Sequence, residues 1–355
     1  MAATVLLIAL VPLAWIWLRR RGADRRVRLA ALTALTLFLT FDLVVFGAFT
    51  RLSDSGLGCP DWPGCYAQAS PIGARADIHE AQTALPSGPV TWSKAWIEMI
   101  HRYLAATVGL LIVVTVVATW LERRHTPISP WWPTATLVWV VVQGLFGKYT
   151  VTLKLYPAIV TLHLLGGLVL LVLLARQREA YRPRPLALPA ALRAGVAMAL
   201  ALLWVQIALG GWVSTNYAVL ACSGFPLCNG SVWPPADFSA GFTLLRGLGV
   251  DAAGGPLSLD ALVAIHLAHR GFAVVAAMAL AGLAWALLRR GDAATRRWGR
   301  LLALLLAAQL ITGLSNVVLD WPLPAALIHT AGAAALVLLL TLLWLRSGAR
   351  AATRA

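Results

Sequence analysis

The sequence has few charged residues, and this scarcity sets it apart from soluble proteins. Only 12% of its 355 residues are charged, Asp and Glu together number 14, and 60% are hydrophobic. A soluble domain of this size could not bury so much apolar surface. The composition therefore excludes that class and indicates a protein with several membrane spans.

Apolar runs long enough to cross a bilayer follow one another along the chain. A spanning helix needs about 20 such residues, and helices are the only spanning structure that fits this pattern. We therefore predict an all-α polytopic membrane protein. The nine predicted spans are 2–18, 28–50, 96–121, 131–149, 155–176, 190–213, 260–288, 298–319 and 323–345. The first run lacks a basic segment before it and a clear cleavage site, so we interpret it as a helix, not a signal peptide.

The positive charge is concentrated in alternate loops. Of 29 Lys and Arg residues, 21 lie in these loops or in the tail, at 19–28, 123–124, 176–193, 289–300 and 346–354. This is the positive-inside bias, which places these segments and the C-terminus in the cytoplasm. It also accounts for the net charge of +15 without a nucleic-acid partner. We expect a multi-pass protein of a bacterial-type inner (plasma) membrane.

Cysteine is scarce, and all four cysteines lie in the loops predicted to be extracytoplasmic. GLGCPDWPGC contains Cys59 and Cys65, and ACSGFPLC contains Cys222 and Cys228. An even number of cysteines in an oxidising compartment favours disulfides, and pairing within each loop is the simple choice. Either a rigid lid or a redox function would suit such loops. No C-x-x-C motif is present, which disfavours a membrane disulfide oxidoreductase.

The chain repeats itself. Gln143 to His163 and Gln309 to His329 have the same spacing, with matching residues between them, and EMIHRYLA (98–105) resembles HLAHRGFA (266–273). The spacing of Asp42 and Gly47 is also found between Gln206 and Gly211. The repeat predicts two pseudo-symmetric four-helix transmembrane bundles and one extra N-terminal helix. The predicted domains are the extra helix with a basic loop (1–27), the N-terminal half (28–176), a cytoplasmic linker (177–189), the C-terminal half (190–346) and a basic tail (347–355).

Four of the seven histidines occupy equivalent places in the repeat, each inside the extracytoplasmic end of a helix. They are His101, His163, His269 and His329. A lone intramembrane histidine can simply hydrogen-bond to a neighbouring helix, but a duplicated pair is a functional candidate. Two facing imidazoles suit the axial positions of a haem iron. Zinc would need a further repeated ligand, which is missing.

The two halves differ beside these histidines. Glu98 lies three residues before His101, on the same helical face, and His266 takes its place before His269. An acidic residue is also favoured in a first helical turn, but a carboxyl beside one haem alone would make the N-terminal half reactive. Arg102 and Arg270 follow the histidines, where they could pair with haem propionates or reach the membrane interface.

These motifs together resemble the heme A synthases over about residues 28 to 346. The resembling segments are FTRLSDSGLGCPDWPGC (49–65), AWIEMIHRYLA (95–105), GKYTVTLKLYPAIVTLHLLGG (147–167), PLCNG (226–230), AHRGFA (268–273) and IHTAGA (328–333). The resemblance implies an oxidoreductase that converts heme O into heme A by successive hydroxylations of a ring methyl to a formyl group. It implies that Glu98 is the essential glutamate.

The resemblance also implies the haem ligands and the partners. The substrate haem would bind through His101 and His163, and a heme B cofactor through His269 and His329. A heme O synthase (a farnesyltransferase) would act upstream, and cytochrome oxidase or its assembly factors downstream. The electron donor is not identified, and a homo-oligomer is compatible with the sequence. A diheme cytochrome b-type electron carrier is the alternative function, although it does not explain Glu98.

Overall fold

A computed structural model describes residues 2–19, 22–290 and 292–348 of the chain. Within these ranges the fold is all helical, and β-structure is limited to three isolated bridges. The helices are α1 (Ala2–Arg19), α2 (Arg25–Leu52), α3 (Arg75–Ala84), α4 (Trp92–Leu121), α5 (Trp131–Thr152), α6 (Pro157–Tyr181), α7 (Ala190–Thr215), α8 (Phe238–Gly241), α9 (Leu259–Leu288), α10 (Ala293–Val318) and α11 (Leu323–Gly348). From residue 349 onward, the predicted basic tail lies outside the described residues, as do parts of the first basic loop.

All nine predicted spans form helices, which confirms the all-α fold class. Among the described residues, seven helices are long and apolar enough to cross a membrane, namely α2, α4, α6, α7, α9, α10 and α11. The protein is therefore a multi-pass membrane protein. Two of the predicted spans, α1 and α5, are outside this set, and α5 carries Gln143 and Lys148 among its apolar residues.

Short helices form in the two cysteine-bearing loops, where the sequence predicted no regular structure. α3 follows the first cysteine loop and buries Ile78 against it, while the next residue, His79, stays exposed. α8 and a single 3₁₀ turn, Ala218–Leu220, flank the second loop. These short helices make few apolar contacts, and they make them with the cysteine loops. Hydrophobic periodicity could therefore not predict these helices.

Contacts divide the chain into two compact units. The first unit consists of Met1–Lys154 and Gly166–Arg184, and the second of Leu155–Leu165 and Pro185–Ala355. α6 therefore contributes to both units, although the sequence assigned it to the N-terminal half. The predicted domain bounds stay a prediction.

The first unit contains a bundle of α2, α4, α5 and the later part of α6. Val108 and Ile112 of α4 pack against Leu170 and Leu174 of α6, with apolar side chains of α2 and α5 around them. The indole nitrogen of Trp139 donates a hydrogen bond of 2.9 Å to the Gly166 carbonyl, which ties α5 to α6. α1 contacts α2 and α4 from outside this bundle.

The second unit contains a closed ring of four helices. α7 contacts α9, α9 contacts α10, α10 contacts α11, and α11 contacts α7. Two of these helices begin at capping side chains, since Ser258 accepts from the Ala261 N–H and Asp292 from the Thr295 N–H. His269 lies on α9 and His329 on α11, two of the helices of this ring.

Candidate haem and cysteine-loop site

Each cysteine pair is joined by a disulfide, and the two loops share one backbone design. The Cys59–Cys65 and Cys222–Cys228 bonds each close a loop of the same length, and all four residues are buried. Each loop has a cis peptide bond before its proline, at Pro63 and Pro226. Each then ends in a short bridge, Cys65 to Gln68 or Cys228 to Ser231. The second loop thus keeps the fold of the first without its PDW sequence.

Different side chains hold the two loops in this shape. In the first loop, the carboxylate of Asp61 accepts hydrogen bonds of 2.6 Å from the backbone N–H groups of Tyr66 and Ala67. Both of those residues have positive φ angles. In the second loop, the Asn229 side chain bonds to Ser223 and to the Ala221 carbonyl. The backbone shape that the two loops share therefore does not depend on one particular side chain.

The first loop is fixed to α4 through Glu98. The Cys59 N–H donates a hydrogen bond of 2.8 Å to Glu98 Oε2, and the other carboxylate oxygen is paired with the Arg102 guanidinium. Arg102 also donates to the carbonyls of Pro63 and Gly64. Glu98 and Arg102 are only 4% and 8% exposed, so the ion pair is shielded from solvent. One buried network thus links the disulfide loop to the carboxylate.

The second loop is fixed to α9 by the equivalent arginine. Arg270 donates to the carbonyls of Cys222 (2.9 Å) and Leu227 (3.2 Å), and its Nε donates to His266 Nε2 at 3.2 Å. Leu227 precedes the second cysteine of its loop, as Gly64 does in the first. His266 thus takes the place of Glu98, one helical turn before the arginine. A contact of either arginine with propionates stays a prediction.

Glycines on neighbouring helices lie against three of the four candidate ligands. A methyl group at Gly47 would stand 2.9 Å from His101 Cε1, one at Gly210 2.9 Å from His269 Cε1, and one at Gly313 3.2 Å from His329 Cε1. Any side chain there would displace the imidazole. The glycines therefore fix how closely each ring approaches the next helix.

This contact also corrects the alignment of α2 with α7. Gly210, and not Gly211, faces a histidine as Gly47 does. The repeat between these helices is therefore shifted by one residue from the spacing in the sequence, and Gln206 corresponds to Leu43 instead of Asp42. Asp42 itself is exposed on α2.

Polar side chains surround the histidines of the second unit. Thr312 Oγ1 lies 3.0 Å from His329 Nδ1, and Gln309 Nε2 donates to the His329 carbonyl at 2.9 Å. The Gln206 amide lies 3.1 Å from His269 Nδ1 and bonds to the carbonyl of the same residue. His269 and His329 lie on α9 and α11 of the same four-helix ring.

The candidate ligands of the N-terminal half are placed separately. His101 belongs to the first unit, where Phe46 lies parallel to its ring at 6.3 Å. His163 lies in the Leu155–Leu165 segment of the second unit, so its pairing with His101 stays a prediction. Across residues 2–19, 22–290 and 292–348, no three His, Cys, Asp or Glu side chains form a metal-binding group. An axial pair of histidines needs no such group, because the porphyrin supplies the other ligands.

Sequence reasoning missed the residues that support the histidines. The glycines Gly47, Gly210 and Gly313 and the polar side chains Gln206 and Thr312 carried no role in the predicted site. A signal was available for some of them, because Gln309 and Gly313 lie in the repeated segment that ends in His329. The repeat displayed their positions, but only the packing of α10 against α11 gives them a function.

Comparison with known proteins identifies the family to which the chain belongs. The family described as COX15-CtaA, cytochrome oxidase assembly protein, matches residues 30–341. A heme A synthase of Shewanella oneidensis is 38% identical over 319 residues, covering 88% of this chain and 95% of that protein. Heme A synthases of Shouchella clausii and Sphingopyxis alaskensis are each 30% identical, covering 60% and 88% of this chain and 66% and 90% of those proteins. The chain therefore belongs to the COX15-CtaA family of cytochrome oxidase assembly proteins.

Proposed function

We propose that this protein is a heme A synthase, a membrane oxidoreductase that converts heme O into heme A. The observation that carries the proposal is the asymmetric repeat. Two bundles carry equivalent histidines and equivalent arginine-anchored disulfide loops, but only one has a carboxylate, Glu98, beside its histidine. Family membership and the names of the relatives support the same activity. An electron carrier alone would not need this difference between the halves.

The C-terminal bundle suits a heme B cofactor held by His269 and His329. Both histidines belong to one four-helix ring, and each imidazole lies against a glycine of a neighbouring helix. When bound, heme B would supply one-electron transfer. The chain itself contributes the two ligands, the shell that orients them and an apolar surrounding.

The substrate haem is assigned to His101 and His163, with Glu98 next to His101. Arg102 and the Cys59 N–H fix the direction of the Glu98 carboxylate, so it is oriented before substrate binds. An oriented carboxylate can hold a water molecule, accept a proton or stabilise positive charge beside the ring methyl. The methyl is oxidised to a formyl group through successive hydroxylations.

The cysteine loops lie on the extracytoplasmic side in this proposal, where each forms a lid over its own bundle. The disulfide of the first loop fixes the position of the Cys59 N–H and so contributes to the orientation of Glu98. An upstream heme O synthase would deliver substrate, and cytochrome oxidase or its assembly factors would receive heme A.

Haem extraction tests the proposal. The protein is expressed together with a heme O supply, purified in detergent, and its haems are identified by chromatography and mass. We expect heme B with heme O or heme A in the parent protein, and no heme A in Glu98→Ala. Glu80→Ala, which removes an exposed carboxylate near the same loop, is the control and should still form heme A. Heme B alone in the aerated parent would favour the electron carrier, and the absence of any haem would refute both functions.

A further inference from the structure

The hydroxyl of Thr312 lies 3.0 Å from one nitrogen of His329, Nδ1. Thr312 has one hydroxyl proton, and its shortest contact is with the Ala308 carbonyl, to which it donates at 2.7 Å. When the proton points to that carbonyl, the same oxygen accepts from His329 Nδ1. In this arrangement Nδ1 carries the hydrogen, and Nε2 keeps its lone pair. This is the form of imidazole that binds a metal.

Two other residues of α10 also contact His329, one at its carbonyl and one at the edge of its ring. Gln309, one turn before Gly313 on α10, donates to the His329 carbonyl and lies against Gly332. Gly313 borders the ring at Cε1. α10 thus contacts His329 at its carbonyl, at the edge of its ring and at Nδ1–H. The other ring nitrogen, Nε2, remains available to bind a metal.

The equivalent histidine of the other half lacks a hydroxyl at the position of Thr312. His163 corresponds to His329, and the position of Thr312 is occupied by Phe146, which can neither donate nor accept a hydrogen bond of this kind. Within the described residues, His163 Nδ1 is buried and has no hydrogen-bond partner. The two histidines therefore differ in the group that orients them.

We propose that Thr312 is a positioning residue that makes His329 the stronger iron ligand and so retains haem in the C-terminal bundle, whereas Phe146 leaves His163 a weaker ligand. The inference rests on the proposed function. A hydrogen bond accepted from Nδ1–H raises the basicity of the ligating nitrogen, and loss of such outer contacts typically lowers metal affinity about 10–100-fold. A weaker ligand suits the half where a substrate must enter and a product must leave.

The test compares Thr312→Val with Thr330→Val. Thr330 adjoins His329, and its hydroxyl donates to the Ala326 carbonyl, so the control removes a similar hydrogen bond without touching the imidazole. Two properties are measured on the purified holoprotein, namely the rate of heme B transfer to excess apomyoglobin and the reduction potential of the low-spin haem.

We expect Thr312→Val to release heme B about ten-fold faster or more and to shift its potential upward, because a less basic ligand stabilises ferric iron less. Thr312→Ser should restore both properties, and Thr330→Val should match the parent. If Thr312→Val matches the parent, the inference is overturned while the proposed function stands. If Thr330→Val changes as much as Thr312→Val, or if Thr312→Ser fails to restore the parent values, the effect is general packing and the inference is also overturned. A parent protein without haem would refute the proposed function itself.

Discussion

Adding one methyl group at Gly47 or at Gly210 should remove haem from one bundle and leave the other filled. In Gly210→Ala the new carbon would lie 2.9 Å from His269 Cε1, and in Gly47→Ala 2.9 Å from His101 Cε1. Ordinary contacts begin at 3.4 Å, so each ring must retreat by about 0.5 Å. A metal site tolerates errors of only about 0.2 Å in its ligand distances. The displaced imidazole should therefore lose its iron.

The assay is the haem content of purified protein, separated into heme B and heme O plus heme A. Gly210→Ala should lose most of its heme B, and Gly47→Ala should lose the substrate haem but keep heme B. Gly109→Ala and Gly282→Ala are matched controls, because a methyl group at either position meets nothing within 4 Å. Equal haem contents in all four variants would refute the reasoning, and so would equal losses in a control and its test variant.

Three further predictions concern the loops and one helix start. Arg102→Met should lower the free energy of unfolding by about 3–5 kcal/mol, because it leaves the Glu98 carboxylate buried without its cation; an unchanged Tm in detergent would contradict this. Asp61→Ala should speed proteolysis within 59–68, because two backbone N–H groups at positive φ lose their acceptor; equal cleavage rates would show that the disulfide alone holds the loop. The hydrogen bond from the Thr295 backbone N–H lowers the pKa of Asp292 below its ordinary value of 3.8. The stability that this bond contributes is therefore present above pH 3.8 and is lost as the pH falls through the folded-state pKa. The Tm difference between the parent and Asp292→Ala should therefore shrink as the pH falls below 3.8, and a difference that grows in acid would refute this.

The sequence alone determined the class of protein, its helices and the candidate histidines. Runs of about 20 apolar residues leave few structural choices in a bilayer, because every backbone group must be bonded within the chain. That constraint is local, so the nine long helices were predictable, including α5 with its polar residues, whereas the short α3 and α8 were not. The repeat of His163 and His329 was visible for the same reason, since equal spacing on equal helices survives in the sequence.

Only the tertiary structure decided what touches these residues. The sequence places Arg102 beside a histidine, and its contact with propionates stays a prediction. Only the folded chain shows that Arg102 bonds to Glu98 and to the carbonyls of the first cysteine loop. Nothing in the sequence singles out Thr312 or Phe146, which has the equivalent position in the repeat. The packing of α10 against α11 gives Thr312 its role, because it brings the hydroxyl to Nδ1 of His329. Helix formation depends on neighbours three and four residues away, whereas these contacts depend on helix rotation and on loop folding. Apolar periodicity does not specify either of them to within one residue, as the shift from Gly211 to Gly210 demonstrates.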